Sequence, residues 1–372
     1  MRPASFGAWL AQLDPAALAA CLQRASPSEV ARVLEHDQLG LGDLPLLLSP
    51  AAEEHLGRMV ARASALTEQR FGRVMQLYAP LYLSSACTNR CLYCGFAADV
   101  RTPRRHLSLD EAVANAEVLH REGFRQILLV TGEAPAVYGV DDMAAVARAI
   151  GGLFDAISVE VYPLEVAEYR TLAAAGVDGL ALYQETYDRP RYARLHPAGR
   201  KADFEWRLTG PDRGGQAGFR SLGLGVLLGL APWREDVVAL AAHATWLQQR
   251  HWRSRIALSF PRLVPSERGF TPEVPVSDRA LLQAMAALRL VLPDAEIVLS
   301  TREPAALRDR LLETVVTRMS AGSRTSPGGY LDGGPDEQFQ AQDTRPPAEI
   351  ARLLAARRYE PVWKDLDKGF RP

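Results

Sequence analysis

Three of the four cysteines in this chain, Cys87, Cys91 and Cys94, fall within eight residues, in CTNRCLYCGF. A disulfide framework calls for even numbers at spread positions, so this cluster is built to hold something else. One reading is zinc, a structural or scaffold role, with His106 completing a Cys3His set, because structural zinc takes four ligands. Another is a [4Fe–4S] cluster: four thiolates are usual, and three leave one iron open to a small molecule. Spacings of three and then two residues let a short loop wrap three corners of one cube. Gly95 permits a tight exit and Phe96 stands ready to shield the centre from water. Cys21 stands apart and reads as a small apolar residue of the core.

The rest of the chain must position that loop. Its 372 residues are 48% hydrophobic and 23% charged with a net charge of −1, an ordinary globular composition able to bury a large core. Near-neutral charge gives no electrostatic footprint for nucleic acid or a membrane surface. No apolar run approaches the roughly 18 residues of a membrane span, and the amino terminus lacks a signal-peptide core. The expectation is a cytoplasmic protein, where thiols stay reduced.

Residues 1–75 read as a helical extension, with 51–72 as one long amphipathic helix and no strand. From Leu81 onward, eight short apolar runs alternate with helical stretches: 81–84, 126–131, 156–162, 179–184, 222–229, 256–260, 296–301 and 315–320. Ser108-Leu-Asp-Glu111 predicts a capping box opening the first intervening helix, and Gly123 its end. Eight strand–helix units predict an α/β fold, a (β/α)8 TIM-type barrel over 76–372, with an open doubly wound sheet as the alternative. A Pro/Gly-rich loop is expected at 326–338.

In a barrel of this kind, reacting groups gather at the carboxyl ends of the strands. The cysteine segment follows the first strand, and Thr131-Gly132-Glu133 follows the second. Glu160 ends the third, Gln184-Glu185-Thr186-Tyr187 follows the fourth, and Ser320-Ala-Gly-Ser323-Arg324 the eighth. Polar residues thus fall where one mouth should be.

Cys-x3-Cys-x2-Cys with an aromatic before the last cysteine resembles the radical S-adenosylmethionine (SAM) superfamily. The resemblance implies Cys87, Cys91 and Cys94 as ligands of a [4Fe–4S] cluster whose open iron binds SAM, and one-electron cleavage of SAM to a 5′-deoxyadenosyl radical. It implies Tyr93 as an adenine contact. Thr131-Gly132-Glu133 is similar to the superfamily's Gly-Gly-Glu segment near the methionine amino group, with Thr in place of the first Gly. Gly225, with Gly223 and Gly229, stands in a segment that resembles the superfamily's fifth-strand segment, where backbone approaches adenine.

The segments VTGEAP, VEVYPL, ALYQETYD, PDRGGQAGFRSLGLGVLLGL, SFPRL, LSTRE, MSAGSRTSPGGY and EPVWKDLD resemble the 2-iminoacetate synthase family. The family reaction is Cα–Cβ cleavage of L-tyrosine to 2-iminoacetate and 4-methylphenol, serving the thiazole of thiamine. A one-electron donor such as flavodoxin or ferredoxin and a handover to thiazole synthase are implied. A radical that attacks almost any C–H or N–H bond demands a clamped substrate. Arg324 is expected to fork the substrate carboxylate and Ser323 to orient its amino group. Glu160 and Glu185 are expected to accept hydrogen bonds from ribose hydroxyls or an ammonium, and Arg207 to meet the SAM carboxylate. A tryptophan lyase shares the same logic and stays open. The maturation relative with further carboxyl-terminal cysteines is not expected, since no cysteine follows Cys94.

Overall fold

A computed structural model describes residues 5–264, 269–333 and 337–364. Eight parallel strands close into a barrel: β1 (Val74–Ser84), β2 (Gln126–Thr131), β3 (Ala156–Glu160), β4 (Gly179–Glu185), β5 (Ser221–Val226), β6 (Arg255–Ser259), β7 (Glu296–Leu299) and β8 (Arg318–Ser320). Each pairs with its sequence neighbour, and β1 closes the ring by pairing with both β2 and β8. Closure leaves no open edge between β8 and β1, which rules out the doubly wound alternative.

β1 starts earlier than the apolar run at Leu81 suggested, because its first half alternates two kinds of burial. Met75, Leu77, Ala79, Leu81 and Leu83 join the layer between strands and helices, while Tyr78 and Tyr82 pack inside with Phe96, Leu128 and Val130. Polar Gln76 and Pro80 mask that pattern in the sequence. A further strand, β9 (Glu360–Val362), pairs in parallel with Val74–Gln76 and was not expected. The last three residues of EPVWKDLD lie outside the described residues, as do 334–336 of the Pro/Gly-rich loop.

The helix Leu109–Arg121 opens with the expected capping box between Ser108 and Glu111, and Gly123, at φ +105°, follows its end. In the amino-terminal region, a 3-10 turn (Pro50–His55) precedes the helix Leu56–Phe71 where one helix was expected; Pro50, which has no N–H to donate, opens the turn. These helices lie against the barrel's outer helices and share its hydrophobic core. Gln283 of the helix Asp278–Val291 donates to Leu47 O and Ser49 O, both at 2.9 Å. Phe6 stacks on His243 of the helix Trp233–Arg250, ring centres 4.1 Å apart. Its burial is worth about 1.5–3 kcal/mol. Cys21 departs from expectation: on the helix Pro15–Arg24, Leu18 and Leu22 take the buried face and leave Cys21 exposed to solvent.

Candidate active site at the barrel mouth

The cysteine loop leaves β1 at Ser84 and is laced to its neighbours by main-chain bonds. Thr88 N donates to Glu133 O at 2.9 Å, Arg90 N to Ala198 O at 3.1 Å and Leu92 N to Leu195 O at 3.1 Å. Arg104 clamps the far side, donating to Ser85 O, Ala97 O and Val100 O. Buried Asn89 bridges two loops: its Nδ2 donates to Glu133 Oε2 at 2.6 Å and its Oδ1 accepts from Lys201 N at 2.9 Å. Gly132 is required by this crossing, since a Cβ there would lie 2.2 Å from Ala86 O. Gly95 is required on the other side, where a Cβ would lie 2.8 Å from both Glu337 O and Gln338 O.

Two adjoining cavities open at the carboxyl ends of the strands. The first, of about 620 Å³, is lined by all three clustered cysteines and by Thr131, Gly132, Glu133 and Arg207. The second, of about 940 Å³, is lined by Tyr93, Arg302, Ser323, Thr325 and Phe339. Cys94, Glu160, Glu185 and Lys201 face both. His106, the fourth ligand of the zinc reading, is exposed and lines neither.

The wall between the cavities is charged. Glu185, at the end of β4, holds the left-handed φ of 72°, a strained setting for a side-chain-bearing residue. Lys201 Nζ donates to its Oε1 at 2.6 Å, and Arg207 Nη2 lies 3.4 Å away. Burial alone would raise its pKa, yet these two cations hold it at about 2. Glu160 takes the opposite course: burial, then repulsion from Glu185, push it up to about 7. Arg207 also donates from Nε to Tyr183 O at 2.6 Å. Tyr93 meets His196 Nε2 through its hydroxyl at 2.8 Å. His196 in turn is lowered to about 3, first by burial and then by Lys201, so it is neutral.

Arg324 is corrected by the structure. Gly322, at φ +59°, turns the chain after β8, and beyond it Ser323 is buried, Arg324 exposed and Thr325 buried. Ser323 and Thr325 point into the second cavity and Arg324 faces solvent. Arg302, in LSTRE after β7, lines the cavity instead, with its guanidinium 3.4 Å from the centre of the Phe339 ring. Gly225 lines neither cavity; a Cβ there would sit 2.6 Å from the Tyr183 ring, so it makes room for that side chain. Sequence reasoning missed Lys201, Arg302 and Asn89. Arg302, just past the end of β7, was open to the same rule that picked out Glu160, a polar residue at the mouth end of a strand. Lys201 carries no such signal, because it arrives on a 3-10 turn, Arg200–Ala202, after the β4 segment.

The cavity of the three cysteines has the donor set for an iron–sulfur cluster with one open iron. Burial pushes the Cys91 thiol up to about 12 and raises Cys94 as well, with Lys201 the leading opposing influence on both. Thiolates here therefore need a cationic centre, as metal binding supplies. Among the described residues the donors do not stand as a preformed metal cage. Thr131 Oγ1 and Glu133 Oε1 are buried in the same wall without a hydrogen-bond partner, as polar atoms facing a ligand would be.

The radical SAM superfamily model matches residues 81–241, and the biotin and thiamin synthesis associated domain matches 259–360. The chain is 44% identical to 2-iminoacetate synthase of Escherichia coli (strain K12) and 42% identical to that of Salmonella typhimurium, in each case over 91% of both chains. Among solved structures, the FeFe-hydrogenase maturase HydG from Carboxydothermus hydrogenoformans is similar at a TM-score of 0.84 and 33% identity, over 90% of this chain and 79% of that one. The loop of three cysteines and the charged mouth around it are thus found in a chain that belongs to the 2-iminoacetate synthase family of the radical SAM superfamily.

Proposed function

We propose that this chain is a lyase that cleaves the Cα–Cβ bond of L-tyrosine to 2-iminoacetate and 4-methylphenol. The observation that carries the reading is the junction of the two cavities, where Cys94, Glu160, Glu185 and Lys201 face both sides. Cys87, Cys91 and Cys94 would hold a [4Fe–4S] cluster, and cluster and SAM together would supply a hydrogen-abstracting radical. Every other part of the work falls to the chain's own side chains.

Arg302, with no carboxylate against it among the described residues, would fork the substrate carboxylate. Ser323 Oγ, buried and without a hydrogen-bond partner, would accept from the substrate amino group. Glu160 is pushed up to about 7, and an amine held beside it would stabilise its carboxylate form. Arg207 and Lys201 would receive the carboxylate of SAM, and Tyr93 its adenine. Tyr82, Phe96 and Phe339 close the mouth against water, which a radical step requires. Gln338 helps, its Oε1 accepting from Tyr82 Oη at 2.7 Å.

A one-electron donor such as flavodoxin or ferredoxin and a handover of the imine to thiazole synthase belong to this reading. So does a cytoplasmic location; no described helix is long and apolar enough to cross a membrane. The test is anaerobic cluster reconstitution followed by incubation with SAM, a reductant and either tyrosine or tryptophan. Tyrosine should yield 4-methylphenol and glyoxylate, the hydrolysis product of the imine. A 3-methylindole product from tryptophan with none from tyrosine would replace the reading by a tryptophan lyase.

A further inference from the structure

Barrels of this type are normally filled along their axis by layers of bulky branched side chains. Here small inward residues of β3 to β6, Ser158, Ala181, Ser221, Gly223, Ala257 and Ser259, line a third cavity of about 410 Å³ beneath the mouth. Tyr78, Leu128 and Tyr183 line both this cavity and the one that holds Arg302 and Ser323, so they form the floor of one and the ceiling of the other. Most of the lower wall is apolar. Its polar members, beside the two tyrosines, are Ser158, Ser221, Ser259 and Arg318. Of the three serines Ser259 is the most deeply buried, 3% exposed, and its Oγ has no hydrogen-bond partner among the described residues. Ser259 is near enough to bear on the Tyr183 phenol, yet no bond between them meets hydrogen-bond geometry.

We infer that this lower cavity is the subsite for a phenol: the ring of bound tyrosine passes between Tyr78 and Tyr183, and its hydroxyl pairs with Ser259 Oγ. The inference rests on the tyrosine reading above and adds where the side chain is recognised. Pro261 and Ser300, in the wall of the upper cavity, follow Ser259 and Val298, in the wall of the lower one, by two residues each. Two strand residues rise roughly 6.6 Å, the scale of a tyrosine side chain. A substrate held by its carboxylate and amine at Arg302 and Ser323 therefore reaches Ser259 with its hydroxyl. The flanking rings suit an aromatic guest, which packs edge-on or offset against them. A buried hydroxyl left unpaired is costly, so the site favours a ligand that completes it over one that cannot. Gly225 serves the same subsite indirectly, since a Cβ there would strike the Tyr183 ring at 2.6 Å.

The experiment measures tyrosine and phenylalanine binding to the cluster-loaded, SAM-bound protein by calorimetry, alongside product formation. The unmodified protein should bind tyrosine and make 4-methylphenol; if it does neither, the tyrosine reading and this inference fall together. Given that, Ser259→Ala should weaken tyrosine binding by about tenfold or more and leave phenylalanine binding unchanged, because hydroxyl-pairing sites discriminate strongly against analogues lacking the hydroxyl. Ala257→Leu, which fills the lower cavity, should abolish binding of both amino acids while cluster content and SAM affinity persist. Should Ser259→Ala keep the tyrosine-to-phenylalanine ratio and Ala257→Leu still bind tyrosine, the phenol lies elsewhere and the inference fails although the lyase reading stands. Ser259→Thr, which keeps a hydroxyl, should restore most of the ratio; restoration by Thr but not by Ala separates pairing from a packing effect.

Discussion

The two sides of the barrel mouth are built on opposite plans. On the side of the cysteines, buried charges come already paired: Glu185 with Lys201 and Arg207, Glu133 with Asn89. Across the mouth, at the ends of β7 and β8, Arg302 meets the face of Phe339 with no carboxylate against it among the described residues, and Ser323 Oγ has no hydrogen-bond partner among them. Buried polar groups left open cost stability, and a chain tolerates them where a ligand will complete them. The first side is a frame that sets its cations against Glu185 before any ligand binds and, among the described residues, leaves open only acceptor and hydroxyl atoms, Glu133 Oε1 and Thr131 Oγ1; the second leaves a cation open until a substrate arrives.

The hardest way to break that contrast is to remove the frame's purpose. Replacing any one of Cys87, Cys91 or Cys94 by Ser should abolish 5′-deoxyadenosine formation and visible absorption of a reconstituted cluster, whereas Cys21→Ser, altering an exposed residue, should change neither. Retained SAM cleavage in Cys91→Ser would sink the ligand assignment.

Next comes the side with the open cation. Arg302→Leu should keep cluster and SAM binding but lose tyrosine-dependent products, because truncating a charged bidentate contact costs about 2 to 5 kcal/mol and misplaces the reacting hydrogen as well. Arg324→Leu should turn over normally, since that side chain faces solvent. Steady-state 4-methylphenol rates for the two variants decide it, and equal losses would return carboxylate binding to the β8 segment.

That pair of arginines also shows how much the sequence disclosed. The barrel, its strand order and the cysteine loop were legible because each depends on neighbours in the chain: apolar runs of strand length, a capping box at Ser108, three thiols in one loop. The placement of Glu160, Glu185 and Ser323 at the mouth was legible, as polar residues at or just past strand ends. Arg324 was misread because one glycine at positive φ set which of two adjacent residues faces inward, and φ is not written in residue type. β9 was missed because three residues give no periodicity, and its pairing with β1 joins Val74 to Glu360, far apart in the chain.

Lys201→Met should have a smaller effect on products and a clear effect on stability. Arg207 remains 3.4 Å from Glu185, so the carboxylate is left half-paired rather than alone. Breaking a buried pair costs about 3 kcal/mol. Glu185 is depressed from 4.5 to about 2, so its contribution is present above pH 4.5 and lost as pH falls toward 2. Chemical denaturation of the variant at neutral pH should show the loss, and the gap from the unmodified protein should narrow in acid. A constant gap from pH 7 down to pH 2 would mean that packing, not charge, was removed.

The last test leaves activity alone and probes the support beneath the frame. Asp236, in the first turn of the helix Trp233–Arg250, accepts from Tyr187 N at 2.7 Å and Thr186 Oγ1 at 3.0 Å, fixing the two residues that follow Glu185. Burial raises its pKa from 3.8 to about 7 against the pull of those two bonds. A raised carboxyl gives stability that is complete below 3.8 and lost as pH rises through about 7, the reverse of Glu185. The slope is at most about 1.4 kcal/mol per pH unit. Asp236→Asn keeps an acceptor oxygen and carries no proton to lose, so denaturant midpoints between pH 4 and 7 should flatten relative to the unmodified protein. Glu160 titrates in the same range and persists in both proteins, so the difference between the two curves isolates Asp236. Asp236 lines neither mouth cavity, and product formation at pH 7 should not change. An unaltered pH slope would show that Asp236 stays ionised in the fold, its two donors outweighing its burial.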